Sequence, residues 1–184
     1  MSRSQKCIEV INDYSAYTAL KAREKLMQKG VFYLKRSSSN ANFLTAKKLS
    51  VDKQVAIEIK QKAETERHYS INLFCPSFMG ARPSFRFDAD GHVHTNRNDQ
   101  PLSERRIPTP HFHEFDNKGR EIAYRTAAIN NDAQFPRDRV EAIKHFSEVH
   151  NVNLDEDLKV ISESSLFHNA SQCDDPNFGE EFDE

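Results

Sequence analysis

The stretch PSFRFDADGHVH, residues 83–94, decides the fold of this chain. In an extended strand, side chains two apart share a face, so Phe85 and Phe87 are expected on one face and the charged residues between them on the other. The Asp-Gly pair at 90–91 has the chemistry of a tight hairpin turn. We therefore predict that residues 92–94 fold back along this strand. The pattern indicates a sheet with one apolar face and one polar face.

Similar strand patterns occur on both sides of this stretch, and two longer segments have helical periodicity. The predicted strands are 31–35, 43–49, 55–59, 69–74, 83–88, 92–94, 109–115 and 121–125. The predicted helices are 5–29, with an interruption expected at 12–15, and 137–150, and a short element is predicted at 154–161. We predict an α+β fold: a curved, mainly antiparallel sheet of six to eight strands, flanked by N- and C-terminal helices.

The 184 residues are enough for one domain, which we assign to residues 1–161, followed by an acidic tail at 162–184. Charge is distributed unevenly, since residues 1–150 carry a net charge of +7 and residues 151–184 one of −9. A basic body favours a nucleic acid as the partner. We interpret the tail as a solvated segment. Competition for the basic surface and docking on another protein are its alternative roles.

Neither membrane insertion nor export is predicted. No apolar run reaches the length of a membrane span, and residues 1–20 lack the pattern of a secretory signal. The three cysteines, Cys7, Cys75 and Cys173, are an odd number, widely spaced and without a C-x-x-C pair. This argues against a disulfide framework and against a cysteine zinc site. We expect a cytoplasmic protein with free thiols.

Two His-x-His pairs, His92-Val93-His94 and His111-Phe112-His113, are the strongest functional signal. On a strand, each pair directs two imidazoles to one side, about 6–7 Å apart. Imidazole binds metals, transfers protons near neutral pH and donates hydrogen bonds to phosphate. Arginines near in sequence are suited to hold an anion; they include Arg86, Arg120 and Arg125. By contrast, His145 and His150, on the predicted C-terminal helix, are expected to be solvated.

One chemical interpretation is cleavage of RNA without a metal. His111 and His113 would act as acid and base: one histidine deprotonates the 2′-hydroxyl, and the other protonates the leaving oxygen. His94 and Asn96, which share one strand alternation, would position the phosphate. The three arginines would bind the phosphate and stabilise the negative charge on phosphorus.

Two other interpretations stay open. In one, two or three histidines bind zinc or another divalent ion together with Glu114 or Asp88. In the other, the histidines only form hydrogen bonds with backbone groups and nearby acids on a structural sheet face. We favour cleavage without a cofactor, because no acidic residue has zinc-like spacing to either histidine pair.

The segment from Phe85 to Tyr124 resembles a family of small, uncharacterised prokaryotic and phage proteins. The shared features are an Arg-x-Asp strand, a Gly-x-x-His-x-Asn turn, a Pro-His-x-His strand and a hairpin that ends near Ala-Tyr. The matching residues are Arg86, Asp88, Gly91, His94, Asn96, Pro110, His111, His113, Gly119, Ala123 and Tyr124. His92 is outside the shared pattern. The resemblance implies an accessory protein of mobile elements, in the company of toxin–antitoxin and phage-defence genes.

The leading hypothesis is therefore a toxin-like endoribonuclease of prokaryotic conflict systems, with RNA as its partner. The alternative from another class is a phage-encoded inhibitor that binds a host defence nuclease, a nucleic-acid-binding protein, by presenting acidic residues like a phosphate backbone. The charge asymmetry motivates that alternative. The third hypothesis is a metal-dependent enzyme with a histidine cluster.

Overall fold

An eight-stranded sheet organises the molecule. The computed structural model describes residues 6–96, 101, 105–132, 138–154 and 158–163. The strands are β1 (Lys25–Leu26), β2 (Phe32–Arg36), β3 (Phe43–Leu49), β4 (Ala56–Lys62), β5 (Tyr69–Phe74), β6 (Pro83–Asp88), β7 (His94–Thr95), β8 (Arg106–Ile107), β9 (His111–Phe115), β10 (Glu121–Tyr124), β11 (Val152–Asn153) and β12 (Val160–Ser162). The helices are α1 (Ile8–Asn12), α2 (Tyr14–Ala22), α3 (Pro76–Met79), α4 (Ala127–Asn131) and α5 (Arg139–Val149).

The strand order in the large sheet is β10-β9-β6-β5-β4-β3-β2-β12. Neighbouring strands are antiparallel, except that β12 runs parallel to β2 with Val160 opposite Phe32. Two small pairs complete the strands of the described ranges, β1 with β11 and β7 with β8. The predicted α+β class and the large, mainly antiparallel sheet are confirmed. The bounds predicted for 43–49, 69–74 and 83–88 agree with the structure at both ends.

One face of the sheet packs against the helices to form the core. Phe87 and Phe112, which are cross-strand partners on β6 and β9, have ring centres 5.1 Å apart. Phe112 also stacks on Phe146 of α5, with ring centres 6.1 Å apart. Ile143 and Phe146 are fully buried, as the helical periodicity predicts. Burial of side chains of this size stabilises the fold by about 1.5–3 kcal/mol each.

The N-terminal helix breaks where the sequence predicts but ends early. Asp13 separates α1 from α2 and caps α2, because its carboxylate accepts a hydrogen bond from the backbone N–H of Ala16. The predicted end at residue 29 is wrong, since α2 ends at Ala22. The residues that follow form β1, which pairs with β11. This pairing between distant segments outweighs the helical propensity of the local sequence.

The predicted return of residues 92–94 along the 83–88 strand is also wrong. β9 pairs with β6 instead, and β7 pairs with β8. β9 takes the position beside β6 because its Phe112 packs against Phe87 in the core. Residues 92–94 offer a single apolar side chain, Val93, which is 45% exposed.

Some predictions concern residues outside the described ranges. The acidic tail lies outside them from residue 164 onward, and so does Cys173. Cys7 and Cys75 are buried free thiols, in line with the prediction. Among the helices that the structure describes, none combines the length and the apolarity that a membrane crossing requires.

Candidate metal centre

Three of the four paired imidazoles meet on the polar side of the sheet. The ring centres of His111 and His113 are 4.6 Å apart, and that of His94 is 4.9 Å from His113 and 6.1 Å from His111. His111 and His113 are 1% and 3% exposed, and His94 is half-buried. His92 is exposed. Histidines of both pairs therefore converge, although the predicted hairpin of residues 92–94 with strand 83–88 does not form.

Strand register brings an acid and an arginine beside the histidines. Asp88 is directly opposite His111, and Arg86 is directly opposite His113. Such partners in an antiparallel pair have Cβ atoms about 5 Å apart. The alternation within 83–88 therefore directs Arg86 and Asp88 toward the histidines, while the phenylalanines between them enter the core.

Asn96 anchors the segment that carries His94 to β10 through hydrogen bonds. Its side-chain amide donates to the carbonyl oxygen of Ala123 at 2.8 Å and accepts from the N–H of Ala123 at 2.9 Å. Asn96 is 5% exposed. Its side-chain amide forms with Ala123 of β10 the same two hydrogen bonds that the backbone of a neighbouring strand would form. Its position therefore serves to hold His94 over the other two rings, whereas the sequence predicts that it positions phosphate.

The protonation of His111 is determined by its neighbours. Nδ1 lies 3.2 Å from the carbonyl oxygen of Pro108, which can only accept, so Nδ1 carries the hydrogen. Burial, with repulsion from His113, lowers the pKa of His111 to about 4, and the ring is neutral at pH 7. Nε2 therefore presents a lone pair, 3.9 Å from Oδ2 of Asp88. Histidines that bind metals have this arrangement, in which the far nitrogen donates to a carbonyl or carboxylate.

His113 meets two different neighbours at one atom. Its Nε2 is 3.0 Å from Oδ2 of Asp88 and 3.0 Å from a guanidinium nitrogen of Arg86. A ring nitrogen has one hydrogen or one lone pair, so it can satisfy only one of them. Nδ1 makes no hydrogen bond within the described ranges and lies 3.5 Å from Oε1 of Glu121. With its hydrogen on Nε2, His113 donates to Asp88, whereas a hydrogen on Nδ1, facing Glu121, leaves an Nε2 lone pair that can accept from Arg86 or face a bound ion.

Asp88, His111 and His113 form a group of candidate metal ligands. One ligand atom from each lies within 4.8 Å of the other two. Two imidazoles and a carboxylate suit zinc and other divalent first-row ions. Glu114, the other predicted acid, is not in the group, because it lies on the opposite face of β9 from the histidines, where its carboxylate pairs with Lys21 at 2.5 Å. The acidic ligand comes from a neighbouring strand, which explains why the sequence shows no zinc-like spacing.

Oppositely charged side chains lie together around the candidate ligands. Burial alone would raise the pKa of Asp88, but contact with His113 and the charge of Arg86 outweigh burial and lower it. Arg86 lies 3.2 Å from carboxylate oxygens of both Asp88 and Glu121. Burial and the nearby His113 lower the pKa of His94. An ionised Asp88 therefore faces neutral His94 and His111 rings.

The other two predicted arginines lie apart from this group. Arg120 pairs with Asp116 in the β9–β10 turn through two 2.6 Å contacts. Arg125 donates to the carbonyl oxygen of Ile129 in α4. Of the predicted phosphate-binding residues, the structure brings Arg86 to the histidines.

Two residues of the site, Glu121 and Pro108, are not among the predicted site residues. The hairpin after β9 contains the signal for Glu121, because its register aligns Glu121 with Phe115, two positions beyond His113 on the same face. No pattern in the sequence indicates the Pro108 carbonyl, since its role depends on how the chain enters β9.

Two cavities open beside the ligands. The first has a volume of about 380 Å³ and is lined in part by Arg82 and Glu121. The second has a volume of about 420 Å³ and extends from the histidines to Lys60. Arg86 and His113 line both cavities. A small substrate can therefore approach the ligands from either side of Arg86.

Comparisons with known proteins do not identify the chain. No protein-family model, no curated protein and no solved structure matches it. The resemblance to prokaryotic and phage proteins stays a prediction. Functional conclusions therefore depend on the geometry of the site.

Proposed function

We propose that this protein is a metal-dependent enzyme that cleaves phosphodiester bonds in RNA, with Asp88, His111 and His113 as ligands of a divalent ion. The orientation of His111 carries the proposal. Its Nδ1 donates to the Pro108 carbonyl, so the lone pair of Nε2 faces the Asp88 carboxylate. Buried lone pairs and a carboxylate repel each other unless a cation or a proton lies between them. Arg86, 3.2 Å from the Asp88 carboxylate, offsets part of this repulsion, and a divalent ion bound by the three residues would offset the rest.

The surrounding residues suit phosphoryl chemistry. Asp88, His111 and His113 would hold a divalent ion with coordination positions left for water and substrate, and the ion would supply a bound water of lowered pKa and a positive charge that polarises a phosphoryl oxygen. His94 borders the ligands and, because its pKa is lowered, is neutral at pH 7 and able to accept a proton. Arg86 carries the positive charge that offsets the charge developing on phosphorus.

Burial favours this mechanism over metal-free cleavage. An acid–base pair must reach the 2′-hydroxyl and the leaving oxygen, but His111 and His113 are 1% and 3% exposed. With a pKa of about 4, His111 also has no extra proton to donate at pH 7. Metal-free cleavage is the second candidate. It is favoured by the Arg86 guanidinium, 3.0 Å from Nε2 of His113, where a phosphate would need a positive charge.

Calorimetric titration of the chelator-stripped chain with Zn²⁺ and Mn²⁺ tests the metal site. We expect binding of about one equivalent, weakened about 100-fold or more by Asp88→Asn and by His111→Ala, because each removes a ligand. His92→Ala, which alters an exposed imidazole, is the matched control and should leave affinity unchanged. Unaltered affinity in the Asp88→Asn variant would refute this ligand set.

Incubation of labelled RNA with the metal-loaded and the chelator-treated chain tests the reaction. We expect cleavage with metal and none with chelator or with His111→Ala. Cleavage that persists in chelator but disappears in the double variant His111→Ala with His113→Ala would support the second candidate instead. Intact RNA in the presence of a metal-loaded chain would refute both.

The cellular setting is part of the proposal. A cytoplasmic location agrees with the free thiols Cys7 and Cys75, and a toxin-like role in prokaryotic conflict follows from the resemblance of residues 85–124. The inhibitor hypothesis is supported by the acidic tail in the sequence. Deletion of residues 174–184 should abolish inhibition of a defence nuclease under that hypothesis, and should leave RNA cleavage intact under the proposal made here.

A further inference from the structure

The polar side of the sheet continues from the histidines toward the opposite edge. Successive cross-strand partners form a row, which consists of Lys35, Thr45, Lys60, Ser70, Asp88 and His111. Each step crosses one strand spacing, so the row spans about 24 Å. One end of the row is therefore made of candidate metal ligands, and the other end is basic.

The basic end belongs to a surface that we call the open face. It consists of eight outward-pointing residues of β2, β3 and β4, which are Tyr33, Lys35, Phe43, Thr45, Lys47, Glu58, Lys60 and Lys62. Four lysines and one glutamate give these positions a net charge of +3. Lys35, Lys47 and Lys60 are exposed, whereas residues that alternate with them, such as Leu44 and Ile57, are buried in the core. The open face therefore attracts an anionic partner.

Aromatic rings lie among these lysines. The Nζ of Lys60 is 4.4 Å from the ring centre of Phe43, and the Nζ of Lys47 is 5.8 Å from that of Phe74. Tyr33 is 54% exposed. Rings next to positive charges allow bases to stack while neighbouring phosphates pair with the charges, and sheet surfaces that bind single strands have this composition. In a duplex the bases stack on one another, so their faces are not accessible to these rings.

A cavity connects the open face to the histidines. The cavity of about 420 Å³ is lined at one end by Phe43 and Lys60, and at the other by His94, His111 and His113. A nucleic-acid strand on the open face would thus have a continuous path to the candidate metal ligands.

We infer that the open face binds single-stranded RNA and leads it to the histidine cluster. The inference rests on the proposed function, because it names the substrate-binding surface of the same site. An acidic protein segment is the other polyanion that lysines attract, but it has no bases to stack. The exposed ring of Tyr33 and the ring–lysine pairs therefore favour RNA.

Fluorescence anisotropy with a labelled single-stranded oligouridine of about 12 nucleotides tests binding, with chelator present to prevent metal-dependent cleavage. Lys47→Gln with Lys60→Gln should weaken binding about ten-fold or more. A plot of the logarithm of the association constant against the logarithm of salt concentration has a negative slope. The double variant should make this slope less steep by about 1.4, or about 0.7 per lost phosphate contact. The matched control, Lys118→Gln with Lys144→Gln, makes the same change in net charge outside the open face and should leave the slope nearly unchanged. Equal effects of the two double variants would overturn the inference.

Stacking is tested by Tyr33→Ala, which should weaken binding about ten-fold while the salt slope stays the same. Duplex RNA and polyglutamate of matched charge should bind at least about ten-fold more weakly than the single strand. Equal binding of either competitor contradicts a single-stranded RNA surface.

The two proposals fail in different ways. RNA that binds as described but is never cleaved refutes the proposed reaction and leaves the open face as an RNA-binding surface. Metal-dependent cleavage with unchanged RNA affinity in the Lys47→Gln, Lys60→Gln double variant refutes the open face and leaves the metal centre.

Discussion

His150 has the same side chain as the histidines of the candidate metal centre but different surroundings, because it lies among aromatic rings of the core. Its ring centre is 4.5 Å from that of Phe85 and 4.6 Å from that of Phe146. Neither ring nitrogen has a hydrogen-bond partner among the residues that the structure describes. Burial, with repulsion from Lys21 and Lys25, lowers the pKa of His150 to about 3. The interpretation of His150 as a solvated residue is therefore wrong.

This buried ring predicts a loss of stability in acid. The folded-state pKa is below the ordinary value, so between pH 6.5 and 3 the unfolded chain binds a proton that the folded chain does not. The stabilisation is present above pH 6.5 and falls as the pH is lowered. From pH 7.5 to 5.0, His150 alone should reduce the free energy of unfolding by about 2 kcal/mol.

Urea unfolding of His150→Phe at both pH values measures this effect. Phenylalanine keeps the packing and loses no hydrogen bond, so the variant should lose less stability in acid than the natural chain. His92→Gln, at an exposed position, is the control and should retain the full loss. The same acid-induced loss in His150→Phe would exclude His150 as its source. His111, whose pKa is lowered to about 4, contributes in the same direction and accounts for part of the loss that remains.

At the level of elements, Lys25 on β1 joins the ends of two helices. Its Nζ donates to the carbonyl oxygens of Lys21 at 3.2 Å, Arg23 at 2.6 Å and His150 at 2.6 Å. The last carbonyls of a helix lack intrahelical partners and carry partial negative charge. Lys25 is 2% exposed, and burial lowers its pKa to about 8. One ammonium group therefore satisfies carbonyls at the C-terminal ends of both α2 and α5.

Removal of this ammonium should separate the helix ends. Lys25→Met is expected to lower the free energy of unfolding by about 3 kcal/mol, because charge-assisted hydrogen bonds are lost and buried carbonyls stay unpaired. Lys29→Met changes an exposed lysine four positions later and should alter stability by less than about 0.5 kcal/mol. Urea denaturation at pH 7 compares the two variants. Similar values for both would show that the contacts of Lys25 add little.

For the whole molecule, alternation predicts which face a residue occupies but not which strands are neighbours. The bounds of β3, β5 and β6 follow from their sequences because side chains that enter the core recur at every second position in each strand. The neighbour of β6 depends on which distant segment fills the core, and Phe112 of β9 does so. For the same reason, the paired histidines were predictable, whereas their contacts with Asp88 and Pro108 were not.

Metal binding should stabilise the whole fold, since its candidate ligands come from two adjoining strands of the large sheet. At a free Zn²⁺ concentration of 100 times Kd, linkage predicts a gain of about 2.7 kcal/mol in the free energy of unfolding. Thermal unfolding with and without Zn²⁺ measures the gain, with Asp88→Asn as the variant expected to lose it. An equal rise in Tm in that variant would point to a metal site elsewhere on the chain.

The parallel pairing of β12 with β2 affects how the chain folds during its synthesis. Phe32 of β2 lies opposite Val160 of β12, which follows it by 128 positions in the chain. During synthesis, β2 therefore leaves the ribosome well before its parallel partner does. During that interval the edge of β2 offers unpaired backbone groups to other nascent chains. Fragments truncated before residue 160 should therefore aggregate during synthesis and depend on chaperones, even though they contain every candidate metal ligand.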